Sequence, residues 1–157
     1  MRGVMIIAAL AAQPAMSQEF VGRCIGGDRW VGNAGYASYQ DCEGAGDDPL
    51  LIVLCEEETL SISVVAPFRT PSTLGDDLYA TLLVGGSAYS LVGRASRDSH
   101  YDSPVMTGAA LSPDALEALA GSDAGAVVTS AGTYPIHLFD SRDAITAMLN
   151  DCPGEPS

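Results

Sequence analysis

The sequence predicts a mainly β (α+β) protein: an antiparallel β-sandwich or a partly open barrel with two short helices, stapled by disulfides. Three observations favour this class. Apolar runs of strand length recur along the chain, turn residues separate them at hairpin spacing, and only two segments have a helical pattern. Hairpins in series, rather than strand–helix–strand units, indicate an antiparallel sheet.

The predicted strands follow each other in pairs. Three pairs are expected to form hairpins: Leu50 to Cys55 with Thr59 to Ala66, Leu78 to Val84 with Ser87 to Val92, and Ala126 to Ser130 with Thr133 to Phe139. The middle pair flanks Gly85-Gly86, which can adopt the positive φ angles of a tight hairpin turn. The glycine-rich stretch from Gly22 to Gly46 is expected to form irregular loops and short strands.

Two short helices are predicted in the second half of the chain. Ser112 suits an N-cap and Pro113 the first helical position, so a helix is expected to start there. Asp140 or Ser141 is expected to cap a second helix that runs to about Asn150 and has an apolar stripe on one side.

The start of the chain has the features of a secretory signal peptide. Arg2 precedes an apolar run from Val4 to Ala12, and Ala15-Met16-Ser17 suits cleavage before Gln18. The apolar run is too short to span a membrane, which takes about 20 residues. The predicted organisation is a signal peptide over residues 1–17, a single β-rich domain over 18–152 and a flexible tail over 153–157. We therefore expect a periplasmic or secreted protein that is not inserted in a membrane.

The four cysteines, Cys24, Cys42, Cys55 and Cys152, all follow the predicted signal peptide. An even number of cysteines in an exported chain indicates disulfides, and their wide spacing does not suit a zinc site. Four cysteines allow three pairings. We favour Cys24 with Cys42, which closes a local loop, and Cys55 with Cys152, which ties the chain end to an early strand.

The charge is strongly acidic. The chain has 20 acidic residues and 7 basic ones, for a formal net charge of −13. Such a surface repels nucleic acid and anionic lipid and attracts a cationic partner. It equally serves solubility. We therefore expect no nucleic-acid binding and, if there is a partner, a protein that is cationic.

The stretch from residue 49 to residue 152 resembles a known group of exported proteins. An apolar strand ending at Cys55 leads into "TLSISVV", and the chain closes with a strand and a helix, "YPIHLFDSRDAITAMLNDC", ending at Cys152. This layout is similar to VasI-type proteins associated with type VI secretion and to exported invasion-associated locus B proteins. The resemblance implies a sandwich architecture and a secretion-accessory role, and it carries over no catalytic residue.

His137, Asp140 and Ser141 lie within five residues of each other and are the ingredients of a nucleophilic site. Members of a catalytic triad usually converge from separate elements, whereas these are sequence neighbours. On a strand, Tyr134 and Ile136 share one face and His137 points to the other. We interpret the cluster as a strand end and a helix cap, and we predict no catalytic residue, no metal site and no cofactor.

The loop "RDSHYD" is the predicted contact surface, with Arg97, Asp98, His100, Tyr101 and Asp102 as its candidate residues. One histidine and two carboxylates on a loop are too few ligands for a metal site, and no second histidine is near. Loops of this polarity carry recognition more often than core strands do.

A second candidate site is the turn "SAGTY", with Ser130, Gly132 and Tyr134. It resembles the short S-G-x-Y loop of periplasmic lysozyme inhibitors, with Ala131 in place of the serine. An acidic, disulfide-stapled periplasmic protein would attract a cationic lysozyme. The leading hypothesis is nevertheless a non-enzymatic exported protein that acts as a protein-binding or assembly accessory module, and an inhibitor of a cationic envelope hydrolase is the alternative.

Overall fold

The fold was analysed in a computed structural model. The structure describes residues 19–43, 49–56, 59–69, 73–97, 104–150 and 152. The predicted signal peptide over residues 1–17 and the predicted tail over 153–157 lie outside the described residues.

Ten antiparallel strands form a single sheet that curls into a half-barrel. They are β1 (Phe20–Val21), β2 (Asp28–Asn33), β3 (Tyr36–Asp41), β4 (Pro49–Glu56), β5 (Thr59–Val64), β6 (Asp77–Val84), β7 (Ser87–Ser96), β8 (Val105–Ala110), β9 (Ala124–Val128) and β10 (Thr133–His137). Their order across the sheet is β1-β2-β3-β4-β5-β8-β7-β6-β9-β10. The predicted fold class is confirmed, in the form of a partly open barrel.

The three predicted hairpins are all present. β4 pairs with β5, β6 with β7, and β9 with β10. Gly85 and Gly86 have φ angles of 59° and 78°, so the turn between β6 and β7 uses the conformation that glycine allows. The amino-terminal segment is more regular than predicted, since β2 and β3 are six-residue strands in continuous register around a turn at Gly35.

Two helices, α1 (Pro113–Gly121) and α2 (Ser141–Asn150), cover the inner face of the sheet. α2 packs mainly on β2 and β3, and α1 packs against α2 and β6. The approach of α2 is close because Gly32 has no side chain: a Cβ there would collide with the backbone of Ala144. The core lies between the two helices and the inner face of the sheet, where Trp30, Leu51 and Met148 are fully buried.

The capping prediction is right for α1 and wrong for α2. The side chain of Ser112 accepts from the backbone N–H of Ala115, as an N-cap does. At α2, Asp140 occupies the N-cap position with φ 67°, but its carboxylate bonds to Arg23. The hydroxyl of Ser141 donates to carbonyl oxygens instead of accepting. At both side chains, hydrogen bonds to other groups take the place of the capping bond to the first backbone N–H groups of α2.

Both predicted disulfides are present. Cys24 and Cys42 are joined with a Cα–Cα distance of 5.9 Å, and Cys55 and Cys152 with one of 5.5 Å. The second bond spans 97 residues and attaches the end of α2 to β4. Among the residues that the structure describes, no cysteine is free.

Candidate functional site

The junction between β10 and α2 holds the three residues that suggested a nucleophilic site. The side chain of Ser141 is fully buried, and its Oγ lies 2.7 Å from the carbonyl oxygens of both Leu119 and Leu138. A hydroxyl has one hydrogen to donate and can give it to either oxygen. Ser141 therefore ties α2 to the last turns of α1 and is closed to a substrate.

Side chains join the two ends of the curled sheet, and we call this group the seam: Arg23, Asp28, Trp30, Tyr39, His137 and Asp140. The indole of Trp30 donates to the carbonyl oxygen of His137 at 2.9 Å. The imidazole of His137 in turn donates through Nε2 to the carbonyl oxygen of Asp28 at 3.0 Å, since a carbonyl can only accept. β2 and β10 are thus linked by side chains where a closed barrel has a backbone ladder.

Two further contacts of the seam involve charged groups. The hydroxyl of Tyr39 donates to Asp28 Oδ2 at 3.1 Å, and burial raises the pKa of Tyr39 to about 12. The backbone N–H of Arg23 donates to Asp140 Oδ2 at 2.8 Å, and its guanidinium lies 3.2 Å from Oδ1. These bonds from Arg23 lower the pKa of Asp140 below its usual value.

His137, Asp140 and Ser141 come together in space but not as a triad. Each bonds to different groups, and no bond runs from one of the three side chains to another within the described part of the chain. The Nδ1 of His137 is buried there without a hydrogen-bond partner. Because no base is oriented toward the serine hydroxyl, the geometry fits a role in holding the half-barrel together.

The turn that carries Ser130 and Gly132 lies between β9 and β10, and Tyr134 follows it as the second residue of β10. It is held by bonds of Thr129, whose N–H donates to the carbonyl oxygen of Gly132 at 2.9 Å and whose hydroxyl donates to that of Pro67 at 2.6 Å. Ser130 is exposed, and its Oγ accepts from a neighbouring backbone N–H. Tyr134 is half-buried and packs against the core. The turn is therefore rigid, and only part of it faces outward.

The predicted contact loop is described at one residue only. Arg97 is exposed directly after the end of β7. Asp98, His100, Tyr101 and Asp102 lie outside the described residues.

An exposed apolar surface lies on the outer side of β6, β7 and β9. We call it the apolar face, and its residues are Tyr79, Leu83, Ala88, Val92, Ala126 and Val128. Tyr79, Val92 and Leu83 are 66%, 48% and 38% exposed. The strand register forms two apolar groups, Tyr79 opposite Val92 and Leu83 between Ala88 and Ala126. The outward polar pair Thr81 and Ser90 lies between the two groups.

Two shallow depressions follow the apolar face along β6. One, of 270 Å³, is lined by residues that include Tyr79, Thr81, Ser90 and Val128. The other, of 460 Å³, lies beyond Leu83 at the glycine turn between β6 and β7. Side chains of a partner can enter both depressions without any movement of the sheet.

The charges around the apolar face are arranged at its ends. On the face itself, Asp77 and Arg94 form an ion pair at 3.2 Å and neutralise each other. Asp76 is exposed directly before β6, and Asp123 is exposed directly before β9, near the opposite end of β6. The face, whose own charges are paired, thus has an exposed acidic residue at each end.

Sequence reasoning overlooked this surface. In β6 the inward residues are buried and apolar, whereas the outward residues alternate between polar and apolar: Asp77, Tyr79, Thr81 and Leu83. A strand at the surface of an antiparallel sheet usually has polar residues on its outer face. The two large apolar residues at outward positions of "LYATLLV", Tyr79 and Leu83, were the available signal.

Comparison with known proteins identifies no family for the chain. No family model, curated protein or solved structure matches it. Within the described residues, neither helix is long and apolar enough to cross a membrane, and no cluster of three metal-ligating side chains occurs.

Proposed function

We propose that this protein is an exported, non-enzymatic protein-binding module, an accessory that acts in the periplasm or the cell envelope. The observation that carries the proposal is the apolar face. Large apolar side chains that stay exposed side by side on a folded domain mark interaction sites, whereas scattered single ones do not. The two disulfides support export, since such bonds persist in oxidising compartments.

The apolar face also suits the binding of a protein better than that of a small molecule. Its depressions are open and shallow, whereas small ligands are bound in enclosed clefts that bury most of their surface. Tyr79 is exposed opposite Val92, and an exposed tyrosine is a frequent anchor of protein interfaces.

The test is site-specific photo-crosslinking in cells that export the protein. A photoreactive residue replaces Val92 on the apolar face or, as a control, Leu149, which is 42% exposed on α2. The proposal predicts a product of defined mass with a second protein from position 92 and none from position 149. Correctly folded protein that gives no protein product from position 92 would refute it.

A second candidate function is inhibition of a cationic envelope hydrolase such as lysozyme. The rigid turn at Ser130 supports it, because a pre-organised loop loses little conformational entropy on binding. The test is a lysozyme activity assay with the wild type and with Tyr134→Ala. Inhibition by the wild type that Tyr134→Ala weakens would support this function, and no inhibition at micromolar protein would exclude it.

A further inference from the structure

We infer that the apolar face docks a cationic protein, whose apolar side chains cover Tyr79, Leu83 and Val92 and whose basic side chains lie against the acidic residues at its two ends. This inference rests on the proposed protein-binding function at the apolar face and adds the chemistry of the partner.

The apolar part of the interface follows from the two depressions. Tyr79 and Leu83 project from the sheet, and each has a depression beside it. A partner with large apolar side chains covers the projecting residues and fills the depression beside Leu83. The depression beside Tyr79 also presents the polar residues Thr81, Ser90 and Thr129, so polar groups of a partner fit there as well. Such burial is favourable by about 25 cal/mol for each Å² of apolar surface removed from water.

The positive charge of the partner follows from the acidic residues at the ends of the apolar face and from the net negative charge of the whole chain. Asp76 and Asp123 are exposed at opposite ends, while Asp77 is already paired with Arg94. Basic side chains of a partner can approach these two exposed carboxylates without opening that ion pair, although Oδ2 of Asp76 already accepts from the backbone N–H of Thr73. The net charge of −13 adds attraction at longer range and raises the rate of encounter.

The same charge argues against a second copy of this chain as the occupant. Two molecules that each have a net charge of −13 repel one another, and their acidic ends would meet without basic partners. The face offers them no compensating charge, because its one arginine is bonded to Asp77 and to the carbonyl oxygen of Gly75. A cationic protein meets neither obstacle.

The experiment selects ligands without assuming their identity. A phage-displayed library of random peptides is selected on the folded wild-type protein, and the enriched peptides are synthesised and titrated. Three variants are compared with the wild type: Tyr79→Thr with Val92→Thr, Asp76→Asn with Asp123→Asn, and the matched control Glu43→Gln with Glu56→Gln, whose residues are exposed in the other half of the sheet. Threonine keeps the strand preference at positions 79 and 92.

We expect the enriched peptides to combine large apolar residues with arginine or lysine. The threonine variant should lose at least about tenfold in affinity, as truncation of anchor residues does. The asparagine variant should lose several-fold at about 0.01 M salt and less at about 0.15 M, where the screening length falls to about 8 Å. The glutamine control should bind like the wild type.

Several results would overturn the inference. They are enrichment of acidic or uncharged peptides, binding that the threonine variant retains, an absence of enriched peptides, and a homodimer in sedimentation analysis that the threonine variant dissolves. A crosslink from position 92 to a protein that is not basic would refute this inference and leave the proposed function standing. The absence of a protein crosslink from position 92 would refute both this inference and the proposed function.

Discussion

Gly32 determines how closely helix α2 approaches the sheet. A Cβ at this position would overlap the backbone of Ala144, and backbone cannot rotate away as a side chain can. Trp30, two residues earlier on the same strand, is fully buried and reaches β10. A change at Gly32 therefore shifts the helix and disturbs the contacts that close the half-barrel.

We expect Gly32→Ala to lower the free energy of unfolding by about 3 kcal/mol, the cost of overpacking a filled interior. Urea unfolding measures it. The control is Gly121→Ala, the same substitution at the end of α1, where the nearest atom outside the local chain is 4.0 Å from the new Cβ. Alanine there should leave stability unchanged or raise it by up to about 1 kcal/mol. Equal midpoints for the two variants would contradict this account of the helix packing.

Tyr39 makes the stability that the seam contributes depend on pH in the alkaline range. Its hydroxyl donates to Asp28 and lies 3.5 Å from the backbone N of His137. Tyr39→Phe removes these bonds and should cost about 1 kcal/mol at neutral pH. Because the pKa of Tyr39 is about 12 in the folded protein and about 10 in an unfolded chain, its contribution is complete below pH 10 and is lost as the pH rises to about 12.

Urea midpoints at a series of pH values test this. The difference between the wild type and Tyr39→Phe should be constant up to about pH 9, should then narrow, and should change sign toward about pH 12, because ionising the buried hydroxyl costs more than its hydrogen bonds contribute. The other tyrosines are common to both proteins and cancel in the comparison. A difference that stays constant across the whole range would show that the hydroxyl is not held as described.

Among the secondary-structure elements, α2 is the one that links separate parts of the half-barrel to each other. Its start is linked to α1 through Ser141 and to the amino-terminal segment through Asp140, and its end is linked to β4 by the disulfide of Cys55 and Cys152. A single helix thus connects β1, β2, β4 and α1. The disulfides determine how firmly it stays in place.

We expect loss of the Cys55–Cys152 bond to cost more than loss of the Cys24–Cys42 bond. The first closes a loop of 97 residues and the second one of 18. The loop-entropy estimate is about 5 kcal/mol for the longer loop and about 3 kcal/mol for the shorter one. Paired serine substitutions at each bond, compared by urea unfolding, measure the difference. Equal losses, or a larger loss for the shorter loop, would contradict the prediction.

The elements themselves were largely predictable from local sequence. The glycine pair between β6 and β7 and the Ser112-Pro113 start of α1 are local signals, and both are confirmed. The glycine-rich stretch from Gly22 to Gly46 was expected to form irregular loops and short strands, and it contains the two regular six-residue strands β2 and β3. Gly32 in β2 is needed for the close approach of α2, a requirement that only the packed structure reveals.

At the scale of the whole molecule, the acidic charge opposes folding. With 20 acidic residues against 7 basic ones, like charges are brought closer together when the chain becomes compact. Among the residues described, the two ion pairs are Arg23 with Asp140 and Arg94 with Asp77. The folded state therefore depends on screening by salt.

We expect the thermal midpoint at neutral pH to rise by about 3 °C between about 0.01 M and about 0.15 M sodium chloride, equivalent to about 1 kcal/mol. Differential scanning calorimetry measures it. At a pH near the isoelectric point of 4.1, where the net charge vanishes, the same salt increase should have little effect. An equal response at both pH values would rule out charge repulsion as the cause.

The sequence by itself determined the mainly β class, the three hairpins and both helices, since turn chemistry and strand alternation act over short stretches. It favoured the two disulfide pairs that are present among three possible pairings, and it left a sandwich and a partly open barrel as alternatives. Only the tertiary structure decided the seam, in which Arg23 and Trp30 meet residues more than a hundred positions away. It also decided that Tyr79, Leu83 and Val92 stay exposed. An apolar strand does not reveal which of its faces is buried, because this depends on how far the sheet curls and where the helices pack.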